Sequence, residues 1–544
     1  MKKLLFLICF YALSLSLFAQ SKQDLSLVPI PAKIKKLSGE FIINRNTQII
    51  LSENSDSMRN AVATFNSLLR RSAGYALKVT TDPVSVNVID CKISSSVTNP
   101  EGYMLKVKKN RISIEAQTSQ GIFYGMQTLR QLLPMQIERP FLSDVDWTVP
   151  CVEIEDEPRF QHRGLMLDVC RHFQSKEFVM KFIDMLAYHK MNVFHWHLTD
   201  DQGWRISIDK YPKLTQVGAF RPRSLILIRE DDGKITRTWE NQRYGNYYTK
   251  EDIKQVIAYA EKKFVTIIPE VEFPGHATAA LAAYPELSCS GGPFEVEVKY
   301  GVFNDIFCPK DKTFEFMEDV LSEVADLFPG KYIHIGGDEA PKVRWKNCAH
   351  CQDLIKREGL KDEHELQSYF IKRIESFVES KGKRIIGWDE ILEGGLAPNA
   401  TVLSWRGEEG GIAAAQQGND VIMAPTGYAY LDYYQANPKT QPPGIGGFVP
   451  LWKTYSYEPV PEVLTEQEAE HILGMQGNIW TEYIRNSDHA EYMAYPRGAA
   501  IAEITWSPKI KKDYDNFKSR IIEQFKRYDA MGWNYCNAIL SEVK

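Results

Sequence analysis

The stretch KYIHIGGDEAP (331–341) runs from an apolar, β-branched segment through two glycines into two adjacent acidic residues, Asp338 and Glu339. It reads as a short buried strand whose C-terminal end delivers polar groups. The same shape recurs along the chain. RGLMLDV, NVFHWHL, FVTIIPE, YIHIGG, RIIGW, TVLSW, DVIMA and MQGNIW are short apolar segments, several separated by helical stretches such as 176–189 and 363–381. Eight strands alternating with helices predict a (β/α)8 barrel. Polar and aromatic residues gather at the strand ends: Asp168, His197 with Asp200, Glu270, Asp338 with Glu339, Trp388, Trp405 and Trp480. In such barrels the C-terminal strand ends carry the chemistry.

Before the barrel the texture differs. Residues 59–71 (RNAVATFNSLLRR) and the stretch SQGIFYGMQTLRQLLP have helical spacing, and a proline stops the second. Between them YMLKVKKNRISIEA predicts a hairpin turning at Lys109-Asn110. The organisation expected is a signal peptide over 1–19, an α+β domain over 20–155, the barrel over 156–510, and a C-terminal helix and tail over 511–544. The first residues, MKKLLFLICFYALSLSLFAQS, place Lys2 and Lys3 before an apolar run that ends near Ala19. That is the pattern of an export signal rather than a membrane span, so a periplasmic, secreted or cell-surface location is expected.

The formal net charge of -5, from 65 basic and 70 acidic residues without long runs of either, gives no footprint for nucleic acid. Cleavage of the signal would leave eight of the nine cysteines. Cys289 and Cys308 flank a Gly-rich loop that a disulfide could clip. Cys348 and Cys351 form CAHC, but a single CxxC is half a zinc site, so disulfide or buried thiols is the reading taken.

Glu339 is the candidate general acid, with desolvation at an indole-lined mouth expected to raise its pKa. Gly336 and Gly337 would let the chain leave strand geometry so that Asp338 also faces the mouth; the bland alternative is that both carboxylates cap the next helix. HWHLTDD offers a competing metal-hydrolase reading, with His195, His197, His276 and Asp200 as ligands. Its own bland alternative is buried histidines bonded to carboxylates.

The segments RGLMLDVCRHF (163–173), FHWHLTDDQGWR (194–205), PEVEFPGH (269–276), HIGGDEAP (334–341), GWDEIL (387–392), YLD (430–432) and NIWTE (478–482) together resemble the β-N-acetylhexosaminidases of glycoside hydrolase family 20. The resemblance spans the barrel in order, and the preceding domain is similar to the family's N-terminal domain. It implies hydrolysis in which the substrate's own 2-acetamido group is the nucleophile, an exception to the usual pair of carboxylates about 5–5.5 Å apart. Glu339 would be the acid and then the base, Asp338 would orient the acetamido group, and Tyr430 would bond its oxygen. Arg163, Asp432 and Glu482 would hold sugar hydroxyls, and Trp388, Trp405 and Trp480 would wall the pocket. Asp200 (or Asp201) and His276 would support the acid, with Glu272 nearby, where many members of the family carry Asp. The resemblance implies a terminal N-acetylhexosamine glycan as substrate, no catalytic metal and no cofactor. It leaves linkage, sugar preference and oligomeric state open. A disaccharide-releasing relative and an inactive sugar-binding protein are the other readings; the insertion between Gly203 and Lys250 could shape the mouth.

Overall fold

The structure, a computed structural model, describes residues 25–543; the predicted export signal lies outside the described residues. The N-terminal domain is a seven-stranded mixed sheet in the order Lys33–Ile43, Trp147–Asp156, Tyr103–Lys108, Arg111–Ala116, Val88–Ile93, Gln48–Leu51, Lys78–Thr80. The predicted hairpin is present, with Tyr103 opposite Ala116 and Lys108 opposite Arg111, so Lys109-Asn110 makes the turn. Helix Asp56–Ala73 begins at Ser55, whose side chain accepts from the Met58 N–H, and ends at Gly74 in the left-handed region. Helix Ser119–Leu132 is buried on all sides. One face meets the sheet and the other meets the barrel, where the Tyr124 ring packs edge-on to Trp506 at 5.1 Å.

Eight parallel strands close the barrel: His162–Asp168, Val193–His197, Thr266–Glu270, Tyr332–His334, Arg384–Trp388, Thr401–Ser404, Val421–Met423 and Ile472–Ile479. The eighth pairs with the first, Gln476 against Gly164 and Asn478 against Met166. All eight predicted segments are strands, and the two predicted helices appear as Lys176–Tyr188 and Glu363–Ser380. Their caps are polar, as expected for helices entered from a strand: Ser175 accepts from Phe178, and Asp362 accepts from His364 and Glu365.

The insertion between Gly203 and Lys250 carries a hairpin, Ser224–Arg229 with Ile235–Glu240. Arg229 donates to the carbonyls of Pro438 and Gln441, both at 2.7 Å, and Arg485 pairs with Glu240 at 2.6 Å, which seats the hairpin on the loops after the last two strands. The C-terminal helix Tyr514–Met531 joins barrel to N-terminal domain, with Arg527 donating to Gln131 O (2.8 Å) and pairing with Glu138 (3.2 Å). Among the described residues no helix is long and apolar enough to cross a membrane.

Candidate active site

Regular alternation along the fourth strand would send Asp338 and Glu339 to opposite faces. It ends instead at Gly336 (φ 68°) and Gly337 (φ 97°), and Glu339 itself sits at φ 43°. A Cβ at Gly336 would lie 1.6 Å from Glu272 Oε2, so only glycine allows the chain this close. A left-handed glutamate costs about 1–3 kcal/mol, which the surroundings must impose. The outcome is two carboxylates in different places. Asp338 is 8 % exposed and turned into the barrel, whereas the Glu339 side chain is 38 % exposed at the rim. Neither caps a helix. The next one, Val343–Lys346, starts at Lys342 without a side-chain capping bond.

His276, also left-handed at φ 46°, stands between the pair. Its Nε2 is 3.6 Å from Asp338 Oδ2 and 3.5 Å from Glu339 Oε2. Its Nδ1 is held by Asp201 Oδ2 at 3.0 Å and lies 3.4 Å from Asp200 Oδ1. Asp201 is itself fixed by the N–H and hydroxyl of Thr278, at 2.9 and 2.7 Å. Both aspartates therefore support the histidine, Asp201 more directly. Burial opposes charge on His276, but Asp200 and Asp338 outweigh it and hold the ring protonated well above its ordinary range.

The electrostatics correct one expectation. Glu339 is lowered from its ordinary value, because its hydrogen bond to His276 outweighs partial burial. Asp338 is the enclosed carboxylate instead, and desolvation there wins over the attraction of His276. With Glu270 and Glu339 adding repulsion, Asp338 is pushed up to about 6. The Glu339 side chain is exposed on one side, so the desolvation expected to raise it is only partial.

Tyr430, Trp388, Trp405 and Trp480 gather into one aromatic cluster, with Tyr430 near enough to Asp338 to feel its charge. Trp480 lies 5.6 Å from Trp388 and 6.4 Å from Tyr430, and Trp405 stacks on Tyr430 at 6.0 Å. Trp388 donates to Glu270 at 2.8 Å and Trp405 to Glu390 at 2.9 Å, so each indole is fixed by a polar anchor. The YLD segment is pinned from behind by Arg497, which donates to Leu431 O (2.6 Å) and Tyr433 O (2.9 Å). Asp432 is buried beside Glu482, and burial first, then Glu482, raises it well above its ordinary range. Asp338 Oδ1 and Asp432 Oδ1 are both enclosed without a hydrogen-bond partner among the described residues. Buried acceptors are nearly always satisfied. Two that are not suit a ligand that brings N–H and O–H donors. Trp452, by contrast, is 50 % exposed on helix Leu451–Ser456. A cavity of about 1090 Å³, lined by Arg71, Lys181, Lys263 and Asp529 among others, contains none of these residues.

Arg163 is not brought to the mouth. It sits near the start of the first strand, at the opposite end of the barrel, and donates to Lys190 O (3.0 Å), Phe160 O (2.8 Å), the Tyr124 hydroxyl (3.2 Å) and Glu101. The arginine at the mouth is Arg171, which sequence reasoning missed. Asp168 accepts from the N–H of Cys170 (2.7 Å) and of Arg171 (3.2 Å), bending the chain back as it leaves the strand. The Arg171 guanidinium then lies over Trp480 at 5.0 Å, 2.7 Å from Asp200 and 3.8 Å from Glu482. Strand length could have found it. Five steps of about 3.3 Å separate Arg163 from Asp168, so only the arginine after the strand reaches its C-terminal end.

The HxH histidines meet carboxylates below the pocket. His197 Nε2 is 3.0 Å from Asp200 Oδ2, and its Nδ1 bonds Glu270. His195 Nε2 lies 2.9 Å from Glu270 without hydrogen-bond alignment, while its Nδ1 meets Gln476 at 2.9 Å. His334 Nδ1 is 2.7 Å from the other Glu270 oxygen. Burial works against charge on His197, yet Glu270, Asp200 and Asp168 lift it to about 10. Protonated in this way, His197 is the counter-charge of Glu270. Glu272 is enclosed with both oxygens unpartnered among the described residues; burial, Asp338 and Glu270 raise it well above its ordinary range.

Residues 160–509 match the family described as Glycosyl hydrolase family 20, catalytic domain, and residues 24–157 match its domain 2. A β-hexosaminidase of Porphyromonas gingivalis is 46% identical over 98% of this chain and 68% of its own length. Another, of Vibrio furnissii, is 38% identical over 89% of this chain and 77% of its own. Among solved structures, the GH20 β-N-acetylhexosaminidase of Streptomyces coelicolor superimposes with a TM-score of 0.82 at 31% identity, covering 94% of this chain and 98% of that one. The GH20 exo-β-N-acetylglucosaminidase of Vibrio harveyi, solved with N-acetylglucosamine, gives 0.82 at 34% identity, covering 94% and 78%. The order of strands, the paired carboxylates behind the fourth and the extent of these matches lead to one assignment: the chain belongs to glycosyl hydrolase family 20 and is a β-hexosaminidase acting on O-glycosyl bonds.

Proposed function

We propose that this chain is an exo-acting, retaining β-N-acetylhexosaminidase that removes terminal non-reducing N-acetylglucosamine or N-acetylgalactosamine by substrate-assisted catalysis. The observation that carries this reading is Asp338, a buried carboxylate with Oδ1 unpartnered, beside an accessible Glu339. An acetamido N–H satisfies that oxygen, and the negative charge of Asp338 offsets the positive charge that grows as the amide reacts. The acetamido carbonyl oxygen bonds to the anomeric carbon as the exocyclic C–O bond breaks, and Glu339 gives its proton to the leaving oxygen. Water then adds to the anomeric carbon, returning a proton to Glu339 and releasing the acetamido oxygen.

The Tyr430 hydroxyl bonds the acetamido oxygen. Arg171, Asp432 and Glu482 hold ring hydroxyls, with Arg171 taking the role the sequence gave to Arg163. A neighbour at 34% identity solved with N-acetylglucosamine supports the sugar. The pattern at residues 1–19 supports export to the periplasm or cell surface.

The test has two arms. Product analysis on defined glycans should give monosaccharide, first as the β-anomer; release of a disaccharide or of the α-anomer would refute the reading. Aryl glycosides whose acetyl group carries zero to three fluorines should slow steeply as fluorination weakens the nucleophile. A flat series would mean that the acetamido oxygen does not attack.

A further inference from the structure

Half a zinc site was legible in CAHC; the fold supplies the other half. Cys289 and Cys308 are set side by side by an antiparallel bridge between Ser288 and Phe307, with the Cys308 N–H donating to Leu287 O at 2.9 Å. Cys348 immediately precedes helix Ala349–Glu358, and Cys351 lies in its first turn. The four sulfurs all lie within 4.8 Å of one another. The separations are 3.7 Å for Cys289–Cys351, 3.9 Å for Cys308–Cys348 and 3.6 Å for Cys308–Cys351. None of the four is joined to another, and the remaining described cysteines, Cys91, Cys151, Cys170 and Cys536, are outside the cluster.

We propose that Cys289, Cys308, Cys348 and Cys351 bind one structural zinc ion that clips together the two loops carrying the catalytic residues. A tetrahedral Zn–S length of about 2.3 Å gives a sulfur–sulfur edge of about 3.8 Å, and the three separations fall within about 0.2 Å of it. Four thiolates in a tetrahedron, without an open position, are a closed structural site and not a catalytic one. Binding exchanges the thiol protons for the ion, with the protons passing to solvent. The N-terminus of helix Ala349–Glu358 faces the resulting negative charge favourably. His350, inside the CxxC, is not a fifth ligand; its Nε2 lies 3.1 Å from Pro309 O and holds the helix start to the segment bearing Cys308.

The location gives the clip its use. Cys289 and Cys308 belong to the loop after the third strand, which also carries His276; Cys348 and Cys351 come after the fourth strand, beyond Asp338, Glu339 and the short helix Val343–Lys346. The same two loops meet again nearer the chemistry. Trp345 donates to Phe307 O at 2.9 Å, and the Phe307 N–H donates to Pro274 O at 3.0 Å. A Cβ at Gly275 would lie 2.8 Å from Asp338 O. Fixing the far ends of both loops therefore restricts the two left-handed residues, His276 and Glu339, that bring imidazole and acid together.

The test uses the full chain, purified without chelator from a host that exports it. Elemental analysis should return one zinc per chain. Under denaturing, non-reducing conditions with chelator, alkylation should label all four cysteines, whereas in the native protein they should resist alkylation until an organomercurial releases zinc to a colorimetric chelator. Replacement by Co²⁺ should give the visible absorption of tetrahedral cobalt thiolate. C351S should lose the zinc and melt at lower temperature; if it fails to fold, the metal content and alkylation of the wild type decide alone. Disulfides among the four in peptide mapping, or four free thiols that take up no zinc from an equimolar supply, would overturn the proposal. Each readout is independent of hydrolytic activity.

Discussion

At the N-terminal end of the first barrel strand, Arg163 is fully enclosed and meets Lys190 O, Phe160 O, Tyr124 and Glu101, while Lys190 beside it meets Asp156 (2.9 Å) and Tyr103 (2.8 Å). At the C-terminal end, Asp338 Oδ1, Asp432 Oδ1 and both Glu272 oxygens are enclosed as well, and they have no hydrogen-bond partner among the described residues. Both ends bury charge. One end completes its network within the protein and thereby locks the N-terminal domain to the barrel. The other leaves acceptors open, with burial pushing their pKa values up. Unpaired buried groups are costly, and the difference marks where a ligand completes the structure.

The largest expected effect lies at the open end. Glu339→Gln removes the transferable proton, and general acid catalysis is typically worth about 10²–10⁴-fold. kcat/KM should fall by that order for alkyl glycosides and far less for a nitrophenyl glycoside, whose leaving group needs little protonation. Equal losses on both would remove Glu339 from the acid role.

The two arginines separate the ends directly. Arg163→Met breaks a buried ion pair and should destabilise the fold by about 3–5 kcal/mol, with kcat/KM of the folded fraction unchanged. Arg171→Met should lower kcat/KM by roughly 10- to 150-fold, the worth of a charged hydrogen bond of about 1.5–3 kcal/mol. Denaturant melts and kinetics on both variants check the pair, and an Arg163 variant that melts normally but loses turnover would reverse the assignment.

A smaller effect concerns pH. Catalysis needs Asp338 ionised, to offset the developing charge, and Glu339 protonated. Burial pushes Asp338 up to about 6, whereas the bond to His276 lowers Glu339. kcat/KM should therefore follow a bell whose acidic limb is set by Glu339 and which falls as pH passes about 6. The His276 cation favours the ionised form of both carboxylates. His276→Gln removes that attraction, so the acidic limb should move to higher pH. A limb that stays in place or moves lower would show that His276 does not carry the charge assigned to it.

The smallest expected effect distinguishes two indoles. Trp405, stacked on Tyr430, should cost roughly 2- to 10-fold in kcat/KM when replaced by alanine. Trp452, half exposed on its helix, should change stability by no more than about 0.5 kcal/mol and leave kinetics alone.

The strands of the barrel were legible because each is a short apolar run ending in a polar or aromatic residue, a pattern that needs no partner to be read. Asp338 and Glu339 were legible as a pair because Gly336 and Gly337 announced a break in alternation. The distinction between Arg163 and Arg171 was not drawn, since both lie in one recognisable segment and only position along the strand separates them. The lowered Glu339 was hidden for a different reason. It depends on a left-handed backbone and on a histidine brought in by another loop. The same holds for the four cysteines, whose pairs meet only when two loops fold against each other.

The central claim, that the acetamido group and not Asp338 attacks the sugar, is tested most directly by intact-protein mass spectrometry. Wild-type protein is incubated with a 2-deoxy-2-fluoro glycoside bearing a good leaving group, which lacks the acetamido nucleophile and slows breakdown of any glycosyl ester. The expected spectrum shows unmodified protein, because Asp338 only orients and balances charge. A covalent adduct that maps to Asp338 would contradict the account.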